Sequence, residues 1–403
     1  MPKDKIIKNR SSKFQVGLAM SGHAITDLYA SFIFGLIPVL AVRFNLSLFL
    51  VGLLTSVTAI SNSLTQPIFG YLSDKYNPRY LLAAGPLFSA IIISLMPVMP
   101  SYYMILIMLF LGNLSVAAIH PPTAAIGGHF GGRVKGFSNS LISFSGTLGY
   151  SMGSIFIIFI VEKLGIYFSP IAMIPGVITA VILFKYTDIA QKDEKIKSSF
   201  NYFNKIKNMN KYKILQIFFI CLASYTRDIL WIALITFIPL YFTKEGIKLL
   251  NVGYILIIYN LVGGIGGILA GYFSDRLKNK IILIQAGLLL STPFVYFMFK
   301  TDGILPIAFF IIVGFFSIST LPLCIRVSQE IFPANMGLAS SLVMGLSMGA
   351  ASITMIFLGK AADYIGIQKT VNYIIILTLI VSILLTIYFF IPLNRKLLEN
   401  NIK

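Results

Sequence analysis

Residues 66–79 read QPIFGYLSDKYNPR, a short charged segment between two apolar runs. Gly70 lies near the end of the first run, and a single acid, Asp74, follows it by four residues. The bases Lys75 and Arg79 flank this acid, and a new apolar run begins directly afterwards. The pattern predicts a charged hairpin that joins two membrane-spanning helices.

A second copy of this hairpin begins 201 residues later, at Gly271. Asp275 and Arg276 repeat the acid and its neighbouring base, and Lys280 stands 201 residues after Arg79. The repeated spacing indicates that the chain is built twice around the same joint.

The composition excludes an ordinary soluble domain. Hydrophobic residues make up 57% of the chain and charged residues 11%, and the mean hydropathy is +0.86. Soluble domains carry about a quarter charged residues. The two cysteines, Cys221 and Cys324, lie inside apolar runs and fit neither a metal-ligand spacing nor a disulfide framework.

Apolar runs of transmembrane length recur along the whole chain. We expect them to be α-helices, because lipid offers no hydrogen bonds and each segment must pair its own backbone N–H and C=O groups. The sequence therefore predicts an all-α membrane protein of twelve transmembrane helices. The expected helices cover about 14–42, 46–72, 80–98, 102–126, 136–161, 169–186, 214–242, 252–273, 281–299, 304–326, 337–359 and 370–393. We expect a six-helix bundle at 1–186, a polar linker at 187–213 and a second six-helix bundle at 214–403.

The net charge is +18, and the basic residues that produce it are distributed unevenly between the two sides of the predicted topology. Of the lysines and arginines, 24 fall on the side that holds both termini and the linker, and 7 fall on the other side. Basic loops face the cytoplasm, so we expect both termini there and the protein in the inner or plasma membrane. The same distribution argues against nucleic-acid binding.

The offset of 201 extends well beyond the hairpins. Two six-helix halves in the same orientation would place a substrate site between them, near the middle of the membrane. The matching pairs are Asp27 and Asp228, Pro38 and Pro239, Gly52 and Gly253, Gly70 and Gly271, Asp74 and Asp275, Pro121 and Pro322, and Gly136 and Gly337.

The hairpin motif, Gly70-x-x-x-Asp74-Lys75-x-x-x-Arg79, and its second copy resemble the signature loop of the major facilitator superfamily. The resemblance extends along the whole chain and implies a transporter that alternates access between two halves. The superfamily loop usually has glycine where Asn77 stands, and we expect Asn77 to supply the left-handed turn.

Short motifs from four separate places resemble the fosmidomycin-resistance branch of that superfamily. They are His23-x-x-x-Asp27, Gln66-Pro67-x-x-Gly70-Tyr71-x-x-Asp74-Lys75-Tyr76, His120-Pro121 and Gln329-Glu330-x-x-Pro333. The resemblance implies proton-coupled efflux of a small anionic or drug-like compound. Ser154 departs from it, because antiporter branches usually carry a proline at that position.

The sequence is compatible with two other functions. One is a proton symporter that imports an organic acid or a sugar, and the other is a membrane sensor or scaffold that has lost transport. In every case we expect a lipid-embedded monomer that is not an enzyme and needs no cofactor or metal. The expected partners are a small-molecule substrate and a proton or another coupling ion.

Asp27 is the first candidate for proton coupling, because carboxylates inside membrane helices are costly and usually line a cavity or relay protons. His23 lies one turn earlier on the same face of the helix. The alternative is a hydrogen-bonded pair that only joins helices.

Arg227 and Asp228 are the corresponding feature of the second half. Asp228 is a further proton-coupling candidate. Arg227 could bind an anionic group of the substrate with its planar set of donors, or it could form a buried ion pair with Asp27 or Asp228.

His120 precedes two prolines, which should kink its helix, and we regard it as a candidate for substrate binding or proton transfer. Tyr225 and Trp231 are further candidates for lining a cavity, although aromatic residues in membrane helices more often pack against neighbours or lipid.

The hairpin residues lie too close to the membrane surface to bind substrate. We expect Asp74 to latch the two halves at the positive N-terminal end of a helix, and the neighbouring bases to anchor the protein to the cytoplasmic side. Gln329 and Glu330 are candidates for a gating hydrogen bond on that side, or for ordinary solvated residues.

Overall fold

The fold is all-helical in a computed structural model that describes residues 12–130, 135–187, 211–274, 276–277, 279–332, 339–340 and 342–390. No strand occurs within these ranges. The α-helices are α1 Ser12–Ala30, α2 Phe32–Phe44, α3 Leu48–Ser63, α4 Gln66–Lys75, α5 Pro78–Leu95, α6 Tyr102–Phe130, α7 Lys135–Leu164, α8 Ile174–Tyr186, α9 Lys211–Lys244, α10 Leu249–Ser274, α11 Ile281–Met298, α12 Leu305–Ile331, α13 Ser347–Ile365 and α14 Ile367–Phe390.

Twelve helical spans in the described residues are long and apolar enough to cross a membrane. This confirms the predicted number. The first span, Lys13–Phe44, joins α1 and α2, and the second, Leu48–Ser73, joins α3 and α4. The sixth begins with a 3₁₀ helix at Ile166–Met173, and the eleventh begins with a π-helix at Leu342–Leu346.

The first span is interrupted at Ser31, where the sequence predicts one unbroken helix. Ser31 Oγ donates a hydrogen bond to Leu28 O (3.1 Å), and Phe34 N donates to Ser31 O (3.2 Å). The second bond joins residues three apart, which tightens the helix locally into a turn. Pro38 has no N–H to donate to Phe34 O, so one helical hydrogen bond is missing in α2.

α6 extends through Phe130, so the prediction that a glycine-rich turn begins at Gly127 is wrong. Glycine costs a helix about 1 kcal/mol relative to alanine, which does not stop a helix that is already formed over about seven turns. The rest of that predicted turn, 131–134, lies outside the described residues. α12 likewise continues past its predicted end, so Gln329 and Glu330 lie within a helix.

Asn77 does not adopt the left-handed conformation that we expected, because its φ is −64°. Its side-chain oxygen accepts a hydrogen bond from Arg79 N (3.0 Å) and so caps α5. Asparagine is among the best N-cap residues, since its short side chain reaches the free N–H groups at the start of a helix. The hairpin therefore replaces the usual glycine with a helix cap.

The chain divides into two compact units, one formed by Met1–Phe44 with Val57–Ser198 and the other by Asn45–Ser56 with Ser199–Lys403. In the first unit α1 is packed closely against α7. A Cβ atom at Gly149 or Gly153 would overlap the backbone carbonyl oxygens of Ala24 and Leu28 on α1. Glycine is required at both positions for this close approach.

In the second unit α9 packs against α12, α13 and α14. One buried cluster of the second unit is largely aliphatic and includes Ile220, Ile284, Leu288, Leu323, Val343 and Leu385. Asp363, on α13, accepts hydrogen bonds from Leu48 N (2.6 Å) and Phe49 N (2.9 Å) at the start of α3.

The internal repeat is visible in the hydrogen bonds of the two units. His23 Nδ1 bonds to Ile142 O (2.8 Å), and Ser224 Oγ donates to Val343 O (3.1 Å). Both residues of the second pair lie 201 positions after those of the first. The repeated contact between helices supports the reading of the sequence as two related halves.

Candidate functional site

Asp27, His23 and His120 form one polar cluster in the first unit. His23 Nε2 lies 3.3 Å from Asp27 Oδ2, as the spacing of four residues on α1 predicts. His120 comes from α6 and places its Nδ1 2.9 Å from His23 Nε2 and its Nε2 3.9 Å from Asp27 Oδ1. The structure thus joins a residue that we proposed for substrate binding to the two that we proposed for proton coupling.

The cluster is largely enclosed by protein. The side chains of His23, Asp27 and His120 are 11%, 15% and 23% exposed, so His120 is the most accessible of the three. A Cβ atom at Gly146 of α7 would lie 2.5 Å from Asp27 Oδ2 and 2.8 Å from His23 Nε2. A glycine is therefore needed at this position to leave room for the cluster.

The ligand atoms of these three residues also lie within 4.8 Å of one another, a spacing that a metal ion could bridge. The separation of 2.9 Å between His23 Nε2 and His120 Nδ1 is that of a hydrogen bond, in which one nitrogen donates to the other. Metal ligands would instead direct both lone pairs at the ion. We therefore interpret the cluster as a hydrogen-bonded network.

Arg227 and Asp228 form a buried ion pair in the second unit. Arg227 Nη2 lies 2.8 Å from Asp228 Oδ1, and the two side chains are 5% and 1% exposed. The pairing corresponds to one of the alternatives left open by the sequence. Ser224, on the same helix, donates a hydrogen bond to Val343 O.

One polar atom of this ion pair, Arg227 Nε, makes no hydrogen bond within the described part of the chain. Tyr259 on α10 and Ser317 on α12 are fully buried in the same part of the second unit. Buried polar groups normally have partners, so this region is suited to binding a polar group.

Sequence reasoning missed Tyr259 and Ser317. Neither residue carries a charge, and each stands in an apolar run that contains other tyrosines and serines. Of the aromatic candidates on α9, Tyr225 shares a hydrogen bond with Thr354 Oγ1 (2.9 Å), and Trp231 is half-buried.

The bases of the two hairpins have different partners. Arg79 Nη2 donates to Lys185 O (3.4 Å), whereas Arg276 lies over the ring of Tyr272 at 3.9 Å from its centroid. An added Cβ atom at Gly70 or Gly271 would meet nothing within 4 Å. The side chains of Asp74 and Lys75 and the whole of Asp275 lie outside the described residues.

Lys280 links the second hairpin to the end of α12. Its Nζ lies 3.0 Å from Glu330 Oε1, which also accepts a hydrogen bond from Arg326 Nε (2.9 Å). Gln329 Nε2 donates to Ser340 Oγ (2.8 Å). Glu330 is thus a bridging acid between two bases, and the Gln329-Glu330 motif contacts both the hairpin and the segment that follows α12.

The sequence model of the Major Facilitator Superfamily matches residues 19–344, which is most of the chain. The chain belongs to the major facilitator superfamily. This membership agrees with the twelve spans and makes the protein a multi-pass membrane transporter.

Two relatives of this superfamily member match along nearly their whole length. The fosmidomycin resistance protein of Escherichia coli (strain K12) is 22% identical over 396 residues, covering 96% of this chain and 95% of that protein. The uncharacterized MFS-type transporter YfnC of Bacillus subtilis (strain 168) is 24% identical over 386 residues, covering 94% and 92%.

Solved structures of transporters share the fold at lower sequence identity. A bacterial homologue of the human lysosomal transporter Spinster, inward-facing and occupied, matches with a TM-score of 0.76 at 14% identity, covering 93% of this chain and 96% of that one. A D-xylose–proton symporter matches with a TM-score of 0.71 at 15% identity, covering 95% and 98%. At these identities the likeness establishes the fold and leaves the substrate open.

Proposed function

We propose that this superfamily member is a proton-coupled secondary transporter that exports a small anionic or drug-like compound by alternating access. The observation that carries the proposal is the cluster of His23, Asp27 and His120. Three ionisable side chains from two helices converge there within an apolar membrane protein.

Intramembrane ionisable residues are expensive to bury and commonly mark proton relays or ion pathways. Histidine is the side chain best suited to gain and lose a proton near neutral pH. A carboxylate between two imidazoles supplies a counter-charge for a proton on either ring. These properties support proton coupling at this cluster.

The polar region of the second unit supports an anionic substrate. Arg227 has a permanent charge, and its Nε has no partner among the described residues. Tyr259 and Ser317 add buried hydroxyl groups to this region, and a hydroxyl can donate or accept a hydrogen bond. Asp228 neutralises Arg227 in the structure, so an anion would compete with this carboxylate for the guanidinium.

The likeness to the fosmidomycin resistance protein over nearly the whole chain supports export and a drug-like substrate. The distribution of basic residues supports an inner or plasma membrane location with both termini in the cytoplasm. We propose that the protein works as a monomer.

Transport by purified protein in liposomes with an imposed pH gradient tests this function. We expect the gradient to drive movement of at least one member of a panel of labelled anionic compounds, fosmidomycin included, against the direction of proton flow. Asp27→Asn should abolish the dependence on the gradient, whereas Asp302→Asn, which changes an exposed acid, should not.

Movement of the compound in the same direction as the proton would favour an importing symporter and contradict export. Movement that is independent of the pH gradient would contradict proton coupling. If no compound of the panel moves, whereas ligands still bind, a sensor that has lost transport is favoured instead.

A further inference from the structure

The hydrogen bonds of His23 fix the position of its proton. His23 Nδ1 lies 2.8 Å from Ile142 O. A carbonyl oxygen accepts hydrogen bonds and cannot donate them, so Nδ1 carries the hydrogen. In a neutral imidazole the other nitrogen is then bare, and His23 Nε2 must act as an acceptor.

The next bond fixes the proton of His120. His120 Nδ1 is 2.9 Å from His23 Nε2, so in the neutral pair it must donate to that bare nitrogen. His120 Nε2 is then bare as well, and it faces Asp27 Oδ1 at 3.9 Å. While both rings are neutral, His120 therefore donates to His23, and His23 donates to the carbonyl group of Ile142.

Both bare nitrogens face the same carboxylate. His23 Nε2 is 3.3 Å from Asp27 Oδ2, and His120 Nε2 is next to the other oxygen. One added proton on either ring would therefore stand beside a negative charge. Protons on both rings would place two N–H groups against each other across the 2.9 Å contact, which is repulsive.

We propose that His23 and His120 together carry a single coupling proton, with Asp27 as the fixed counter-charge for both positions. The inference rests on the proposed proton coupling and adds the path of the proton within the cluster. Asp27 then acts as a positioning residue for the charge, and the histidines are the carriers.

The transfer conserves protons and charge at each step. A proton from water binds Nε2 of His120, the most exposed side chain of the cluster, and makes that ring a cation. The proton on His120 Nδ1 then moves to His23 Nε2, so one N–H bond breaks on His120 and one forms on His23. His120 is left neutral with its hydrogen on Nε2, and the positive charge now lies on His23.

Other charges lie at the ends of the helices that pack around α1. Arg79, at the start of α5, donates to Lys185 O at the end of α8. Glu162 and Lys163 lie in the last turns of α7. In the second unit Ser224 replaces His23, and a hydroxyl that donates to Val343 O cannot hold an added proton near neutral pH.

Nitrogen-15 magnetic resonance of protein labelled at histidine in lipid bilayers tests the inference. The chain has three histidines, and His129→Gln removes the resonances of the third. At alkaline pH we expect both remaining rings to carry hydrogen on Nδ1 and not on Nε2. On acidification we expect uptake of one proton per protein, with the signals of both rings changing over the same pH range.

A hydrogen on Nε2 of either neutral ring at alkaline pH would overturn the inference. Separate uptake of two protons would do the same. In His120→Gln we expect His23 to keep its Nδ1 hydrogen but to titrate over a different pH range, and an unchanged titration of His23 would also contradict the inference.

The nitrogen-15 spectrum does not depend on transport. It therefore tests the proton path through His23 and His120 independently of the proposed transport function. The predicted spectrum in a protein whose transport ignores the pH gradient would overturn the proposed function alone. Proton-coupled transport with a different spectrum would overturn only the path through the two histidines.

Discussion

Asp27 and Asp228 occupy matching positions of the repeat and have different partners. Asp27 lies between two histidines, whose charge depends on a bound proton. Asp228 is paired with an arginine, which stays charged at any physiological pH. At the scale of the residue, this difference favours proton exchange in the first unit and recognition of a charged or polar group in the second.

Gly146→Ala should uncouple transport from the proton gradient, because the added methyl group would overlap Asp27 Oδ2 and His23 Nε2. Such overpacking costs about 1–3 kcal/mol, which corresponds to a loss of about 5–150-fold in an equilibrium that depends on the cluster. The measurement is the rate of gradient-driven transport in proteoliposomes.

Gly17→Ala is the matched control, because it adds the same methyl group to α1 where no atom lies within 4 Å. We expect it to transport normally. Full coupling in Gly146→Ala would show that the cluster tolerates displacement and would contradict its role.

Arg227→Lys should weaken binding of an anionic substrate by about tenfold or more, since lysine loses the planar set of donors and Nε. The readout is the substrate concentration that gives half-maximal transport. Arg326→Lys changes an arginine whose side chain is 55% exposed and should have no effect. Equal affinity in both variants would make Arg227 a purely structural ion-pair partner.

Residue spacing predicted only part of the cluster. His23 and Asp27 are four residues apart on one helix, so their proximity follows from helix geometry. His120 is 97 residues away from His23, and no local pattern shows that α6 brings it to α1. Gly146 was visible in the sequence only as a small residue; its role depends on the distance between α1 and α7.

At the scale of the element, hydrophobicity predicted which segments span the membrane and failed to predict where they break. The interruption at Ser31 and the π-helix at Leu342–Leu346 lie inside apolar segments, where the average hydropathy does not change. Both depend on individual backbone hydrogen bonds. The average hydropathy also did not predict that α6 extends through two glycines. A long helix that is already formed tolerates weak helix formers near its end.

Asp363→Asn should lower the thermal stability of the protein. Both oxygens of Asp363 accept N–H groups at the start of α3, and an amide offers one acceptor oxygen and no charge. Loss of a helix cap costs about 1 kcal/mol. The melting temperature of the purified protein in detergent provides the measurement.

Asp302→Asn serves as the control here too, since it removes an exposed acid from a loop. If Asp363→Asn and Asp302→Asn melt at the same temperature as the wild type, the contact with α3 contributes nothing to stability.

At the scale of the whole molecule, the offset of 201 residues was the most informative feature of the sequence. It predicted two related halves, and the structure repeats both a hydrogen bond between helices and a glycine conformation at this offset. Gly165 and Gly366 follow the fifth and eleventh spans with φ of 95° and 84°. The repeat could not predict the chemistry, because His23 and Ser224 occupy the same position with different side chains.

We propose that the cluster around Asp27 couples a proton to the movement of a small molecule. The most direct test of this coupling records proton flux with a pH-sensitive dye enclosed in proteoliposomes while the transported compound is added outside. We predict that the compound drives proton movement in the wild type and in Asp302→Asn, and that Asp27→Asn abolishes this movement although the compound still binds. Proton movement at the wild-type rate in Asp27→Asn would contradict the account.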